Sequence, residues 1–456
     1  MLNFFGGRRS GDDEARRAGR EVLRLAVPAF VALVAEPAFL LADAAIVGRL
    51  GTAPLAGLGV ASAALAAAAG IFVFLAYGTT GVVARRTGAG DRHGALLAGL
   101  DGVWLALLLG LTTGGALLGL AGQVTDAFGA SIAASGAATT YLRVSALGLP
   151  AMLVMMAATG VLRGLQDTRT PLVVALVGFT ANIGLNALFV LGLGWGIAGS
   201  AVGTVIAQTG MAVALLTVVV RGIRATGRTE EWHRPARLRP HPLRVMAAAR
   251  LGVPLLVRTL ALRGVLLLTT WAAAAGGDVP LAAYQVSSTV WTLLTFALDA
   301  LAIAAQALTG RALGAGDAAG ARELTALMVR WGIAGGVVLG VLVLAAAPVL
   351  PAAFSSDPAV RAALTGALVV VALQQPMSGL VFVLDGVLIG AGDGRWLAGA
   401  QLLMLLAYVP VALVVRTQEV SAAGLWGGFA LFMALRGLAL SWRARGEAWA
   451  VVGAHR

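Results

Sequence analysis

Twelve stretches of about twenty consecutive apolar residues run through this chain, and each is long enough to cross a bilayer as a helix. They lie near 24–48, 54–80, 95–120, 141–163, 171–190 and 196–220, then near 247–272, 281–307, 321–347, 363–390, 396–415 and 421–442. In lipid every backbone N–H and C=O must be satisfied without water, so runs of this length fold as helices. The expected fold class is an all-α integral membrane protein. Composition agrees: 59% of residues are hydrophobic and 12% charged, against about 25% charged in ordinary soluble domains. A water-soluble fold and a disordered chain are both excluded. The chain has no cysteine and four histidines. Disulfides, thiolate metal sites and thiol nucleophiles are thereby removed, and no metal, cofactor or enzymatic activity is expected.

The net charge of +12 comes entirely from arginine, since the chain contains no lysine. Twenty-five of the 33 basic residues fall on the side of the membrane that holds both termini, and three (Arg49, Arg361, Arg416) fall on the other. Loops rich in arginine stay in the cytoplasm, so both ends are expected there, in a bacterial plasma membrane. Nucleic acid is not an expected partner. The arginine-rich central loop carries Trp232 as its single aromatic, and binding to nucleic-acid strands relies on aromatic stacking. The basic N-terminal segment is expected to rest on anionic membrane lipids.

Shifting the sequence by 226 residues superposes its landmarks without a gap. Arg24, Val27 and Pro28 fall on Arg250, Val253 and Pro254, and Arg85 with Gly88-Ala89-Gly90-Asp91 falls on Arg311 with Gly314-Ala315-Gly316-Asp317. Pro150 falls on Pro376, and Gly160, Gly164, Asp167 and Arg169 fall on Gly386, Gly390, Asp393 and Arg395. Two copies of a six-helix unit follow. Six is even, so the copies run parallel and are expected to be related by a pseudo-two-fold axis along the membrane normal. The expected organisation is a basic cytoplasmic segment (1–23), an N-terminal lobe (24–220), an arginine-rich linker (221–246), a C-terminal lobe (247–442) and a cytoplasmic tail (443–456). A monomer is expected.

A charge inside a span costs roughly 2.5–3.5 kcal/mol and demands an explanation. Glu36 and Asp43 lie seven residues apart in the first span, hence on one helix face. Desolvation and a nearby carboxylate both favour the neutral acid, which would let Asp43 exchange a proton near neutral pH. The alternative is a structural residue bonded to a hydroxyl or the backbone. Arg258 and Arg263 in the seventh span cannot shed their charge, and Asp299, Asp385 and Glu36 are the acids available to them. Charge neutralisation is the simple reading, and a gate or second site in the C-terminal lobe is the functional one. Asn182 and Asn186, four apart in the fifth span, can hold a cation or substrate, or can bond neighbouring helices.

The chain resembles the multidrug and toxic compound extrusion (MATE) family, particularly its DinF-like branch. The residues that carry the likeness are Asp43-Ala44-Ala45-Ile46-Val47-Gly48-Arg49-Leu50-Gly51, Ala84-Arg85-Arg86 with Gly88-Ala89-Gly90-Asp91, Gly160 through Thr168, and Gly196-Ile197-Ala198-Gly199. The likeness spans about 24–442. It implies two six-helix lobes around a cleft, and export of amphiphilic, often cationic drugs in exchange for protons or sodium. It also implies a cation site built on Asp43, with Asn182, Asn186 and Thr204 matching the family's fifth- and sixth-helix positions. The family has an acid where this chain has Asn186, which removes one negative charge and favours protons over sodium as the driving ion. Two alternatives remain: a lipid-linked precursor flippase of the related superfamily, and a membrane-embedded transferase. The first calls for a wide cationic cleft and the second for clustered His or Asp motifs at one membrane face.

Overall fold

The computed structural model describes residues 6–229, 238–418 and 420–454, with side chains from Gly19 onward except at 228 and 229. The expectations placed on Arg8, Arg9, Arg16, Arg17, Arg228, Trp232, Arg234, Arg237 and Arg456 lie outside the described side chains. The first half forms α1 (Gly6–Gly48), α2 (Thr52–Phe72), α3 (Phe74–Gly88), α4 (Arg92–Asp126), α5 (Ile132–Ala146), α6 (Leu149–Gly164), α7 (Arg169–Ala187) and α8 (Gly196–Thr229). The second forms α9 (Pro242–Ala273), α10 (Asp278–Gly314), α11 (Ala318–Ala346), the short α12 (Leu350–Phe354), α13 (Pro358–Leu373), α14 (Gln375–Gly390), α15 (Gly394–Thr417) and α16 (Ala422–Arg445). No strand occurs among the described residues.

Ten continuous runs are long and apolar enough to cross a membrane, with α2 and α3 sharing one of them. Two bent pairs, α5 with α6 at 54° and α13 with α14 at 49°, bring the number to twelve. The protein is a multi-pass, all-α membrane protein, as the apolar runs require. The bends occur inside the stretches 141–163 and 363–390, which periodicity alone reads as continuous. Pro150 and Pro376 sit in the first turn of α6 and α14. A proline there lacks the N–H that would continue the preceding helix, so it starts a new one at a new angle.

The repeat seen in the sequence is present in the backbone. Asp91 caps α4 by accepting from the Gly94 N–H at 2.8 Å, and Asp317 caps α11 by accepting from Gly320 at 2.7 Å. Ser131 and Asp357 cap α5 and α13. Gly160 on α6 packs on the Ala76 carbonyl of α3, and Gly386 on α14 packs on the Ala302 carbonyl of α10; a Cβ at either glycine would collide. Such close approach is how helices associate where lipid supplies no hydrophobic drive.

The described contacts gather the chain into two compact units, Val31–Leu256 and Met1–Phe30 with Val257–Arg456. These divisions differ from the expected lobes at 24–220 and 247–442. The first part of α1 belongs with the second half: Gly19 lies on the Trp331 ring, and Glu21 pairs with Arg311 at 3.4 Å. The first part of α9 belongs with the first half, where Gly252 lies on the Phe74 ring. The two seams, after Phe30 and after Leu256, are themselves 226 residues apart, each two residues beyond a proline (Pro28, Pro254).

The expected linker is shorter than 221–246, because α8 continues to Thr229 and α9 begins at Pro242. The tail packs back on the second unit. Trp449 is fully buried, and the Gly453 N–H donates to the Leu313 carbonyl at 2.9 Å.

Candidate functional site

α1 brings Asp43 into the interior of the first unit, where it is 2% exposed. Three helices supply its partners. Asn186, in the last turn of α7, donates from Nδ2 to Asp43 Oδ1 at 2.7 Å, and Ser200 on α8 donates from Oγ to the same oxygen at 2.6 Å. The Tyr141 hydroxyl on α5 donates to Oδ2 at 3.5 Å. One turn along α7, Asn182 is also buried, and its Oδ1 accepts from the Thr204 hydroxyl of α8 at 3.5 Å. The structure therefore brings together Asp43, Asn182, Asn186 and Thr204, and adds Tyr141 and Ser200.

Local sequence explains the arrangement. After Asn186 the helix widens into a π-helical turn, Leu188–Gly192, before a tight return in which the Trp195 N–H donates to the Phe189 carbonyl at 2.9 Å. Such turns cluster at functional sites. Gly203 makes room for Asn186, because a Cβ there would collide with Asn186 Oδ1. That oxygen is buried and has no hydrogen-bond partner among the described residues, so the site keeps one carbonyl acceptor beside the carboxylate.

Glu36 does not join Asp43. Seven residues put the two on one face, but also about 10 Å apart along the axis, and Glu36 is exposed where Asp43 is buried. The expectation of a carboxylate pair is corrected on this ground.

In the second unit, Arg258 on α9 grips Asp385 on α14, with Nε donating to Oδ1 at 3.1 Å and Nη2 bonded to Oδ2. Arg436 on α16 reaches the same Oδ2 at 3.1 Å. All three side chains are less than a tenth exposed. Arg263 is exposed and Asp299 half-buried, so of the four residues read as a second site or gate, Arg258 and Asp385 form a direct pair. Arg436, which sequence reasoning did not single out, completes it.

The two halves do not repeat the carboxylate site. The positions 226 residues after Asp43, Asn182 and Ser200 are Thr269, Tyr408 and Trp426. There the Thr269 and Tyr408 hydroxyls bond at 2.9 Å, and Trp426 Nε1 donates to Ser287 at 2.7 Å within an aromatic cluster that includes Trp291, Phe429 and Phe432. Duplication supplied one backbone, and side chains then made a polar acid site in one copy and an aromatic core in the other. The aromatics Phe72 and Phe74 of the first half lie 6.5 Å apart and tilted across the break between α2 and α3.

The MatE family model matches this chain twice, at residues 28–188 and 254–414, again 226 apart. Protein DETOXIFICATION 44, chloroplastic, of Arabidopsis thaliana is 30% identical over 94% of this chain and 82% of its own length. The probable multidrug resistance protein NorM of Deinococcus radiodurans is 32% identical over 92% of this chain and 94% of its own length. The DNA damage-inducible protein F of Escherichia coli is 28% identical over 92% and 91%. Among solved structures, a MATE transporter in a bent conformation is similar with a TM-score of 0.84 and 21% identity, over 95% of this chain and 96% of that one.

Proposed function

The chain belongs to the MatE family of multidrug and toxic compound efflux transporters, and we propose that it exports amphiphilic, often cationic compounds in exchange for protons, with Asp43 as the proton carrier. One observation carries this reading: Asp43 is buried and its hydrogen-bond partners, Asn186, Ser200 and Tyr141, are all neutral. An ionised carboxylate there is held by hydrogen bonds from neutral groups and not by a cation, so taking up a proton breaks no ion pair with these partners.

The two protonation states ask different things of the same neighbours. As a carboxylate, Asp43 accepts from Asn186, Ser200 and Tyr141. As an acid it carries a proton that needs an acceptor, and the Tyr141 hydroxyl and the unpartnered Asn186 Oδ1 are at hand. Each state thus favours its own arrangement of α1 against α5, α7 and α8. Where one arrangement binds drug more tightly than the other, inward proton movement and outward drug movement become linked through one equilibrium. The protein works in this reading as a monomer in a bacterial inner membrane, both termini in the cytoplasm and lipids around it.

A second reading, sodium as the driving ion, is favoured by the unpartnered Asn186 Oδ1, a hard oxygen beside a carboxylate. Proteoliposomes loaded with a pH-sensitive dye separate the two. Substrate-driven proton movement that persists without sodium and is lost in Asp43→Asn supports the proton reading. Unchanged export by a folded Asp43→Asn protein overturns it, and export that requires sodium selects the second reading.

A further inference from the structure

The outer face of α8 carries a feature that the second half does not repeat. α8 runs to Thr229, whereas its counterpart α16 ends at Arg445, the position equivalent to 219. The extra turns hold Arg221 and Arg224. Val213, Leu216, Thr217, Val220, Arg221 and Arg224 recur at helical spacing on one face and line a shallow, open surface groove of about 410 Å³ bordered by that helix alone. The groove is apolar along its length and basic at one end. Both arginines are exposed, α8 contains no acidic residue, and among the described residues neither arginine makes an ion pair.

We propose that this groove binds one anionic phospholipid, its phosphate between Arg221 and Arg224 and an acyl chain along Val213, Leu216 and Val220. Three observations support that occupant. The span from Val213 to Arg224 is about 16 Å at 1.5 Å per residue, close to the roughly 15 Å depth of one leaflet's hydrocarbon. Guanidinium groups one turn apart match a phosphate diester in charge and geometry. The twelve-span plan places these residues on the arginine-rich side, where anionic headgroups accumulate against basic segments. A zwitterionic lipid would set an ammonium group beside two guanidiniums, so the groove discriminates by headgroup. The proposal rests on the chain spanning a membrane and is independent of the coupling ion.

Native mass spectrometry of the full-length detergent-purified protein, incubated with phosphatidylglycerol or phosphatidylethanolamine, tests it. The unmodified chain should retain phosphatidylglycerol preferentially, and R221Q/R224Q should reduce that retention at least tenfold. Val213→Trp, which fills the apolar end and leaves both arginines in place, should reduce retention as well. Both changes lie on an exposed helix face, and a melting curve confirms that each variant is folded. Equal retention of the two lipids by the unmodified chain, or undiminished retention by R221Q/R224Q, overturns the proposal.

Discussion

Ser200 and Asn186 donate to the same oxygen of Asp43, so at the residue scale they act on one protonation equilibrium. Ser200→Ala removes a donor that favours the ionised form, and a hydrogen bond to a charged group is worth about 1.5–3 kcal/mol. The pH profile of export should therefore change, measured as initial rates in proteoliposomes over a pH series. A profile that stays in place would remove Ser200 from the coupling. The second unit has a different logic. Asp385 is shared by Arg258 and Arg436 in a buried setting, and removing one partner from such a set costs about 3–5 kcal/mol. Asp385→Asn should therefore lower the detergent melting temperature sharply, whereas Arg263→Gln, on an exposed residue, should leave it nearly unchanged. Asp43 was legible in the sequence because an acid in an apolar run has few explanations. Tyr141, Ser200 and Arg436 were not, because tyrosine and serine are ordinary in membrane helices and only their convergence on one carboxylate marks them.

Elements meet here through glycine. Gly160 and Gly386 each place one helix on the backbone carbonyl of another, so Gly386→Val must push α14 away from α10. Overpacking of this kind costs about 1–3 kcal/mol or more, and the expected result is reduced yield of folded protein by size-exclusion chromatography. Gly399, with open space around its Cβ position, is the control, and Gly399→Ala should behave as the parent. The bends between α5 and α6 and between α13 and α14 were partly legible, since Pro150 and Pro376 stand at equivalent places in the repeat. A proline in an apolar run can be absorbed as a mild kink, however. The angles of 54° and 49° depend on what each broken helix packs against.

For the whole molecule, the exchange of leading segments has a consequence for assembly. Residues Met1–Phe30 belong to a unit otherwise made of Val257–Arg456, and the start of α9 belongs to the other unit. Coexpressed fragments divided within 230–237 should assemble, while the fragment from 238 alone should be less stable, lacking the Gly19 contact with Trp331 and the Glu21 pair with Arg311. Equal melting of that fragment with and without its partner would contradict the exchange. By itself the sequence determined the fold class, a count of ten to twelve spans and the duplication, and it singled out Asp43, which is deeply buried in the first unit. These follow from local rules: bilayer thickness sets span length, and covalent order carries the 226-residue repeat. Only the tertiary structure decided that Glu36 is exposed where Asp43 is buried, that Arg436 joins Arg258 on Asp385, and that each unit takes a leading helix segment from the other half. Periodicity gives the face of a helix but not its neighbour, and for a buried polar group the neighbour settles whether a charge is paired, solvated or free to take a proton.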